Sequence, residues 1–130
     1  MRHSAMRAGV LVMSAALVLA APATAGTLIS SQRIAARTWH NPCDGRVTLR
    51  YGSPPAPYVG LTRWWITANG RRYDCRVVVR RGLGRGLTCT VVLHEYGHLA
   101  GRKHSINPNS VMYAPLTRVD HRCLRVLKAR

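Results

Sequence analysis

Five residues in the last third of the chain have the types and the spacing of a metal site. They are His94, Glu95, His98, Gly101 and His104, in the order H-E-x-x-H-x-x-G-x-x-H. On a helix, residues four positions apart share a face, so the first two imidazoles can point at one metal ion. A third histidine after a glycine turn completes three nitrogen ligands and leaves one coordination position open, which is the arrangement of catalytic zinc.

Glu95 lies one residue beyond the first ligand of this motif and is the only glutamate in the chain. At that position a carboxylate can reach a water molecule without occupying a ligand position. This placement suits a general base. The alternative is that the histidines are ordinary core or surface residues, which the spacing disfavours.

The ligands require a helix to carry them, and residues 88–101 (TCTVVLHEYGHLAG) supply apolar surface on which such a helix can be buried. Gly101 suits the left-handed position that follows a helix and turns the chain back. The β-branched residues of 88–92 would by themselves also be typical of a strand.

A short sheet is predicted upstream of this helix. Residues 46–51 alternate between polar and apolar side chains, which indicates a half-buried strand. Two β-prone runs, residues 63–68 and 71–79, flank Asn69-Gly70, so we predict a hairpin with a type I′ turn. The glycines of residues 82–86 lack the full spacing of a dinucleotide-binding fingerprint, and we interpret this segment as a loop.

The first 25 residues have the pattern of an export signal. Arg2 and Arg7 give a positive start, an apolar stretch follows, and Ala23-Thr24-Ala25 fits a signal peptidase site. The alternative is an uncleaved anchor or a buried helix, but the stretch is short for a membrane span. We therefore expect a secreted protein, with no membrane span in its mature form. Residues 26–41 show no clear period and are predicted to be a linker.

Four cysteines follow the predicted signal, an even number in a small exported domain, which suggests two disulfides. Three pairings are possible. We expect Cys75–Cys89, which closes a short loop, and Cys43–Cys123, which ties the two ends together. No C-x-x-C pair supports the rival interpretation of a cysteine-rich zinc site.

The chain is strongly basic, with 20 Lys and Arg against 4 Asp and Glu and a formal net charge of +16. Such a charge attracts anionic surfaces such as wall polymers, nucleic acid or acidic proteins. No recognised nucleic-acid motif accompanies it, so we expect at most non-specific contact with anionic polymers. Bases spread along the chain are also typical of an ordinary solvated surface.

The segment after the third histidine adds a family resemblance. Ser105 follows His104 directly, and Ser110-Val111-Met112-Tyr113 places Met112 eight residues after His104, in the manner of a Met-turn. Residues 94–115 therefore resemble the metzincins, a clan of zinc peptidases. They are most similar to the matrixins and to matrixin-like secreted bacterial proteins.

This resemblance implies a zinc-dependent endopeptidase domain over residues 42–130. Its fold would be α+β, a short twisted sheet with a hairpin packed on the active-site helix and stabilised by disulfides. The resemblance also implies an extended substrate along the edge strand before that helix, for which residues 76–80 are the candidate. The implied roles are zinc ligands for His94, His98 and His104, general base for Glu95, a hydrophobic floor for Met112, and a substrate pocket for Tyr113, Ala114 and Pro115.

Some positions depart from the resembling families. Ala114 stands where astacin-like members have a tyrosine, so no tyrosine ligand is implied, and the proline common at that position in matrixins is delayed to Pro115. Only three aspartates accompany Glu95, so we expect one zinc ion and no calcium sites. A cysteine-switch role for Cys43 is less favoured than a disulfide.

The second candidate function is a catalytically silent, basic zinc-binding module that binds anionic polymers.

Overall fold

A three-stranded mixed sheet packs against the central helix in the computed structural model, which describes residues 25–128. The protein is thus a small α+β domain held by two disulfides. The helices and strands, in chain order, are α1 (Ala25–Thr38), β1 (Val47–Gly52), β2 (Gly60–Ile66), β3 (Arg72–Arg80), α2 (Arg85–Leu99) and α3 (Leu124–Lys128), with short 3₁₀ turns at Pro42–Gly45 and His121–Cys123.

The spatial order of the strands is β1-β3-β2, with β1 parallel and β2 antiparallel to β3. Cys75, Val77 and Val79 alternate along β3 and are buried in the core. Because β3 is paired on both sides, the expectation that residues 76–80 form an edge strand is wrong. The two edge strands of the described sheet are β1 and β2, and β2 is the one that runs antiparallel to β3.

The hairpin of β2 and β3 confirms the prediction made from Asn69-Gly70, but its turn differs from type I′. The amide of Thr67 donates to the carbonyl of Arg71, and the amide of Gly70 donates to the carbonyl of Thr67. Gly70 has a φ of 83°, whereas Asn69 is not among the residues of positive φ. This is the three-residue loop in which a type I turn is followed by a glycine bulge.

Helix α1 replaces the linker expected for residues 26–41. Its buried face consists of Thr27, Ser31 and Ala35, which are spaced four residues apart and pack toward α2. Two of these side chains are polar, and the Ser31 hydroxyl donates to the Thr27 carbonyl at 2.6 Å. A helix that is buried through small and polar residues lacks the periodic apolar side chains from which a helix is predicted.

Helix α2 confirms the helix predicted over the histidine motif and is buried on nearly all sides, because the sheet covers one face and α1 covers another. Val91, Leu93 and Tyr96 are among its fully buried or nearly buried side chains. The amide of Gln32 on α1 donates to the Tyr96 hydroxyl at 2.7 Å and to the Val47 carbonyl of β1 at 3.2 Å. These bonds fix α2 between the sheet and α1.

The disulfides are Cys43–Cys75 and Cys89–Cys123, so both expected pairings, Cys75–Cys89 and Cys43–Cys123, are wrong. The first joins the Pro42–Gly45 turn to β3, and the second joins the N-terminal half of α2 to the turn before α3. Each bond links a loop element to the core element beside it. The two core cysteines, on β3 and α2, are therefore not partners.

Within residues 25–128, no helix combines the length and the apolarity that crossing a membrane would require. The predicted signal peptide, residues 1–25, lies outside the described residues apart from Ala25.

Candidate metal centre

Three imidazoles converge on one point at the C-terminal end of α2. The Nε2 atoms of His94 and His98 lie 3.1 Å apart, and each lies 3.2 Å from the Nε2 atom of His104. The cluster could hold a metal ion. His94 is buried, His98 is half-buried and His104 is exposed, so the cluster opens to solvent on the His104 side.

The turn after α2 brings the third histidine back to the first two. Gly101 has a φ of 86°, a left-handed conformation that costs a residue with a Cβ atom but not glycine. The amide of Arg102 donates to the Gly97 carbonyl at 2.8 Å, and the amide of Gly101 donates to the His98 carbonyl at 2.9 Å. These two bonds form the Schellman motif, in which a glycine ends a helix and reverses the chain.

Backbone carbonyls orient two of the rings. The Nδ1 atom of His94 lies 2.7 Å from the Val111 carbonyl, and that of His98 lies 2.9 Å from the Arg102 carbonyl. A carbonyl can only accept a hydrogen bond, so Nδ1 carries the proton of the neutral ring and Nε2 keeps its lone pair toward the centre. Histidines that bind a metal usually donate their other ring nitrogen to an acceptor of this kind.

The dimensions of the cluster fit zinc. Nitrogen ligands about 2.0–2.1 Å from a tetrahedral ion lie about 3.3 Å from one another, close to the 3.1–3.2 Å observed. Burial lowers the pKa of His94 to about 4; the Val111 carbonyl opposes the shift, and the neighbouring His98 and His104 add to it. The ring is therefore neutral near pH 7, the form that a metal requires.

Met112 lies beneath the helix turn that carries the ligands. It is 5% exposed, and a Cβ atom on Gly97 would contact the Met112 thioether and approach its Cε atom and Trp39 at 3.1 Å. Glycine at position 97 thus allows both side chains to pack closely on α2. The Trp39 indole donates to the Leu93 carbonyl at 2.8 Å, and the Ser105 amide donates to the Met112 carbonyl at 2.9 Å.

Glu95 projects from α2 toward the edge strand β2 and is only 6% exposed. Its carboxylate accepts a hydrogen bond from the Thr62 hydroxyl of β2. Burial raises the pKa of Glu95, while the Thr62 hydrogen bond and the charge of His104 act in the opposite direction. Along α2 the carboxylate comes one residue after His94, the first histidine of the cluster.

Gly60 and Thr62 are two residues of this site that sequence reasoning missed. A Cβ atom on Gly60 would lie 2.5 Å from Glu95 Oε1 and 2.6 Å from a Val91 methyl group, so the carboxylate occupies the space that glycine leaves. Neither residue belongs to a recognisable motif. Only the packing of β2 on α2 brings them to Glu95, which a single sequence cannot reveal.

The residues expected to form the substrate pocket follow Met112. Tyr113 is half-buried and forms an isolated parallel bridge with Ser105, and its amide donates to the Ser110 carbonyl at 3.0 Å. Ala114 and Pro115 are exposed. A pocket wall formed by these three residues stays a prediction.

Comparison of the chain with protein-family models, curated protein sequences and solved structures finds no match.

Proposed function

We propose that this protein is a secreted zinc-dependent endopeptidase of the metzincin type. The observation that carries the proposal is the geometry of α2. Its His94 and His98 meet His104 at Nε2 separations of 3.1–3.2 Å, while the only glutamate of the chain projects from the intervening turn. A metal-binding module alone would need the three imidazoles, but it would have no need of the buried carboxylate beside them.

His94, His98 and His104 would hold the zinc ion, and Met112 would form the apolar floor under them. When bound, zinc supplies Lewis acidity, which lowers the pKa of a water molecule and polarises a peptide carbonyl. The two carbonyl-oriented rings cannot rotate away without losing their hydrogen bonds to Val111 and Arg102. Preorganised ligands of this kind bind a metal more tightly than free ones.

Glu95 would act as the general base. Its carboxylate accepts a proton from the attacking water and later delivers that proton to the leaving amine. Because burial raises the pKa of Glu95, the carboxylate is a better proton acceptor than an exposed glutamate would be. The Thr62 hydroxyl holds it in one position, so the base does not need to be ordered during the reaction.

The edge strand β2 would bind the substrate in an extended conformation. The amide of Arg80 donates to the Val59 carbonyl, and in antiparallel pairing the backbone groups of alternate residues point toward and away from the partner strand. The backbone groups of Gly60 and Thr62 therefore point to the open side of β2. A peptide added there would gain main-chain hydrogen bonds next to Glu95.

Secretion fits the two disulfides, which persist in oxidising compartments. The export itself rests on residues 1–25 and is tested by the N-terminal sequence of protein recovered from the medium. We expect the chain to begin at Gly26.

Metal analysis combined with digestion of a peptide library tests the proposed activity. We expect about one zinc per chain and cleavage that a chelator abolishes and added zinc restores. Zinc binding with no cleavage of any peptide would overturn the proposal and favour the basic module that binds anionic polymers. That module would bind such polymers with an affinity that falls steeply as salt rises.

A further inference from the structure

A cavity of about 420 Å³ opens directly beside the histidine cluster. His98 and His104 form one wall, and Trp64, Arg72, Arg102 and Lys103 form the others. Three of the lining side chains are therefore cationic, and none is acidic. A group bound in this cavity would touch both the metal ligands and a positively charged surface.

Every side-chain carboxylate of the chain has a partner elsewhere. Asp44 pairs with Arg71 at 2.5 Å, Asp74 with Arg76 at 2.9 Å, and Asp120 with Arg122 at 2.8 Å, as the ion pairs of the structure show. Glu95, the fourth acid, accepts from Thr62. Within residues 25–128, the cations of the cavity thus have no acidic side chain to neutralise them.

The guanidinium of Arg72 is held in place although it lacks an acidic partner. Its Cζ atom lies 5.2 Å from the centroid of the Trp64 ring, a cation–π contact. Its Nη2 atom also lies next to the helix-ending turn, 3.5 Å from where a Cβ atom on Gly101 would stand. Its Nε atom is buried and has no hydrogen-bond partner among the described residues. An arginine fixed in this way is preorganised for a carboxylate.

We propose that this cavity binds an acidic side chain of the substrate, so that the enzyme cleaves peptides at a bond next to an aspartate or glutamate. The inference rests on the proposed peptidase function and specifies its substrate class. A carboxylate in the cavity would pair with Arg72 and with the exposed Arg102 and Lys103. Because the cavity adjoins the metal ligands His98 and His104, it can receive only a side chain close to the scissile bond. The preference for an acidic residue therefore applies to one substrate position.

Position dependence separates this inference from the general attraction of a basic protein for acidic peptides. Diffuse charge favours a glutamate at any position of a peptide and is screened by salt. A built pocket favours glutamate over glutamine at a single position. The test therefore uses a set of otherwise identical peptides in which one glutamate, or one glutamine, is moved through every position.

Wild-type protein is expected to cleave the peptide with glutamate at one position at least about tenfold more efficiently than its glutamine counterpart, with differences of threefold or less elsewhere. The double variant Arg102→Glu/Lys103→Glu should lose this preference and favour lysine at that position. The matched control is Arg125→Glu/Lys128→Glu on α3, which packs at the other end of α2. It makes the same charge change and should keep the preference.

Equilibrium binding of the same peptides to the zinc-loaded Glu95→Gln variant decides the inference even if no peptide is cleaved. A tenfold tighter binding of glutamate at one position supports the pocket. Equal binding of the glutamate and glutamine peptides at every position overturns it. A preference for glutamate that is the same at every position, and that the control variant loses as much as the Arg102→Glu/Lys103→Glu variant does, overturns it as well. Absence of cleavage by the wild type would instead count against the proposed function.

Discussion

The Thr62 hydroxyl on the edge strand donates a hydrogen bond to the carboxylate of Glu95 on the central helix. The two residues are 33 positions apart in the chain, and the bond joins the strand proposed to bind substrate to the side chain proposed to activate water. A carboxylate that is 6% exposed needs such a partner, because a buried polar group without a hydrogen bond costs free energy. The position of the base therefore depends on the edge strand.

Thr62→Val should impair cleavage without removing the metal. Valine keeps the shape of threonine but cannot donate to Glu95, so the carboxylate loses its fixed position. A catalytic group displaced by about 1 Å can lose about 100-fold in rate, and we expect kcat/KM to fall by about 10–100-fold while the zinc content stays unchanged. Thr48→Val on β1, where the side chain is exposed, makes the same substitution away from the site. An equal loss in both variants would contradict this role of Thr62.

Gly60→Ala should displace the base directly. The added methyl group would lie 2.5 Å from Glu95 Oε1, so either the carboxylate or the strand must shift. We expect cleavage to fall by at least tenfold, because displaced catalytic groups lose most of their effectiveness, while zinc binding persists. Gly45→Ala has open space around it but a φ of 73°, so it controls for a general loss of stability by backbone strain away from the site. Full activity of the Gly60 variant would show that Glu95 is not held against this strand in solution.

The local features of the site could be predicted from the sequence because they depend on short-range spacing. The helix period places His94 and His98 on one face, and Gly101 in its left-handed conformation returns His104 to them. The central position of β3 was not predictable in the same way. It results from β1 crossing over to pair in parallel with β3, and alternation within a strand does not identify its neighbours.

Peptide mapping of the secreted protein under non-reducing conditions should recover Cys43–Cys75 and Cys89–Cys123. Removal of the second bond by Cys89→Ala/Cys123→Ala should lower the free energy of unfolding by about 4 kcal/mol in the chain-entropy model, for a separation of 34 residues. Urea unfolding measures this loss. Recovery of a Cys75–Cys89 peptide would contradict the described arrangement of β3 and α2.

The pairing of the cysteines and the helix α1 were beyond single-sequence reasoning for related physical reasons. A short loop between Cys75 and Cys89 is favoured by sequence distance, but the pairing depends on which elements lie side by side in the fold. Helix α1 is buried through Thr27, Ser31 and Ala35, whose small side chains allow close contact with α2. Close contact between helices stabilises the domain without producing an apolar stripe in the sequence.

Asp120→Asn should make the protein less stable at neutral pH and flatten the acid side of its stability profile. Burial favours a higher pKa for Asp120, but the hydrogen bonds and charge of Arg122 outweigh burial and hold the pKa below its usual value. The contribution of Asp120 is therefore complete above the unfolded-state pKa and is lost as pH falls through the lower folded-state pKa. We expect a loss of about 1–2 kcal/mol at pH 7 that shrinks below pH 4, measured by urea unfolding.

Asp44→Asn is the matched control for that measurement. Its partner Arg71 is also an arginine, but both side chains are more than half exposed, and surface pairs contribute at most about 1 kcal/mol. We expect the Asp44 variant to change little across the same pH range. Equal losses in the two variants would show that the burial of Asp120 does not strengthen its pairing.

Zinc content and peptide cleavage, measured together on Glu95→Gln, test the central claim most directly. Glutamine keeps the size of glutamate but cannot accept the proton of water, so cleavage should fall by about 10²–10⁴-fold while the protein retains about one zinc. His104→Ala is the complementary variant, because loss of a ligand should lower the zinc content itself. If the zinc-loaded Gln variant cleaves peptides as fast as the wild type, Glu95 is not the base and the proposed mechanism is wrong.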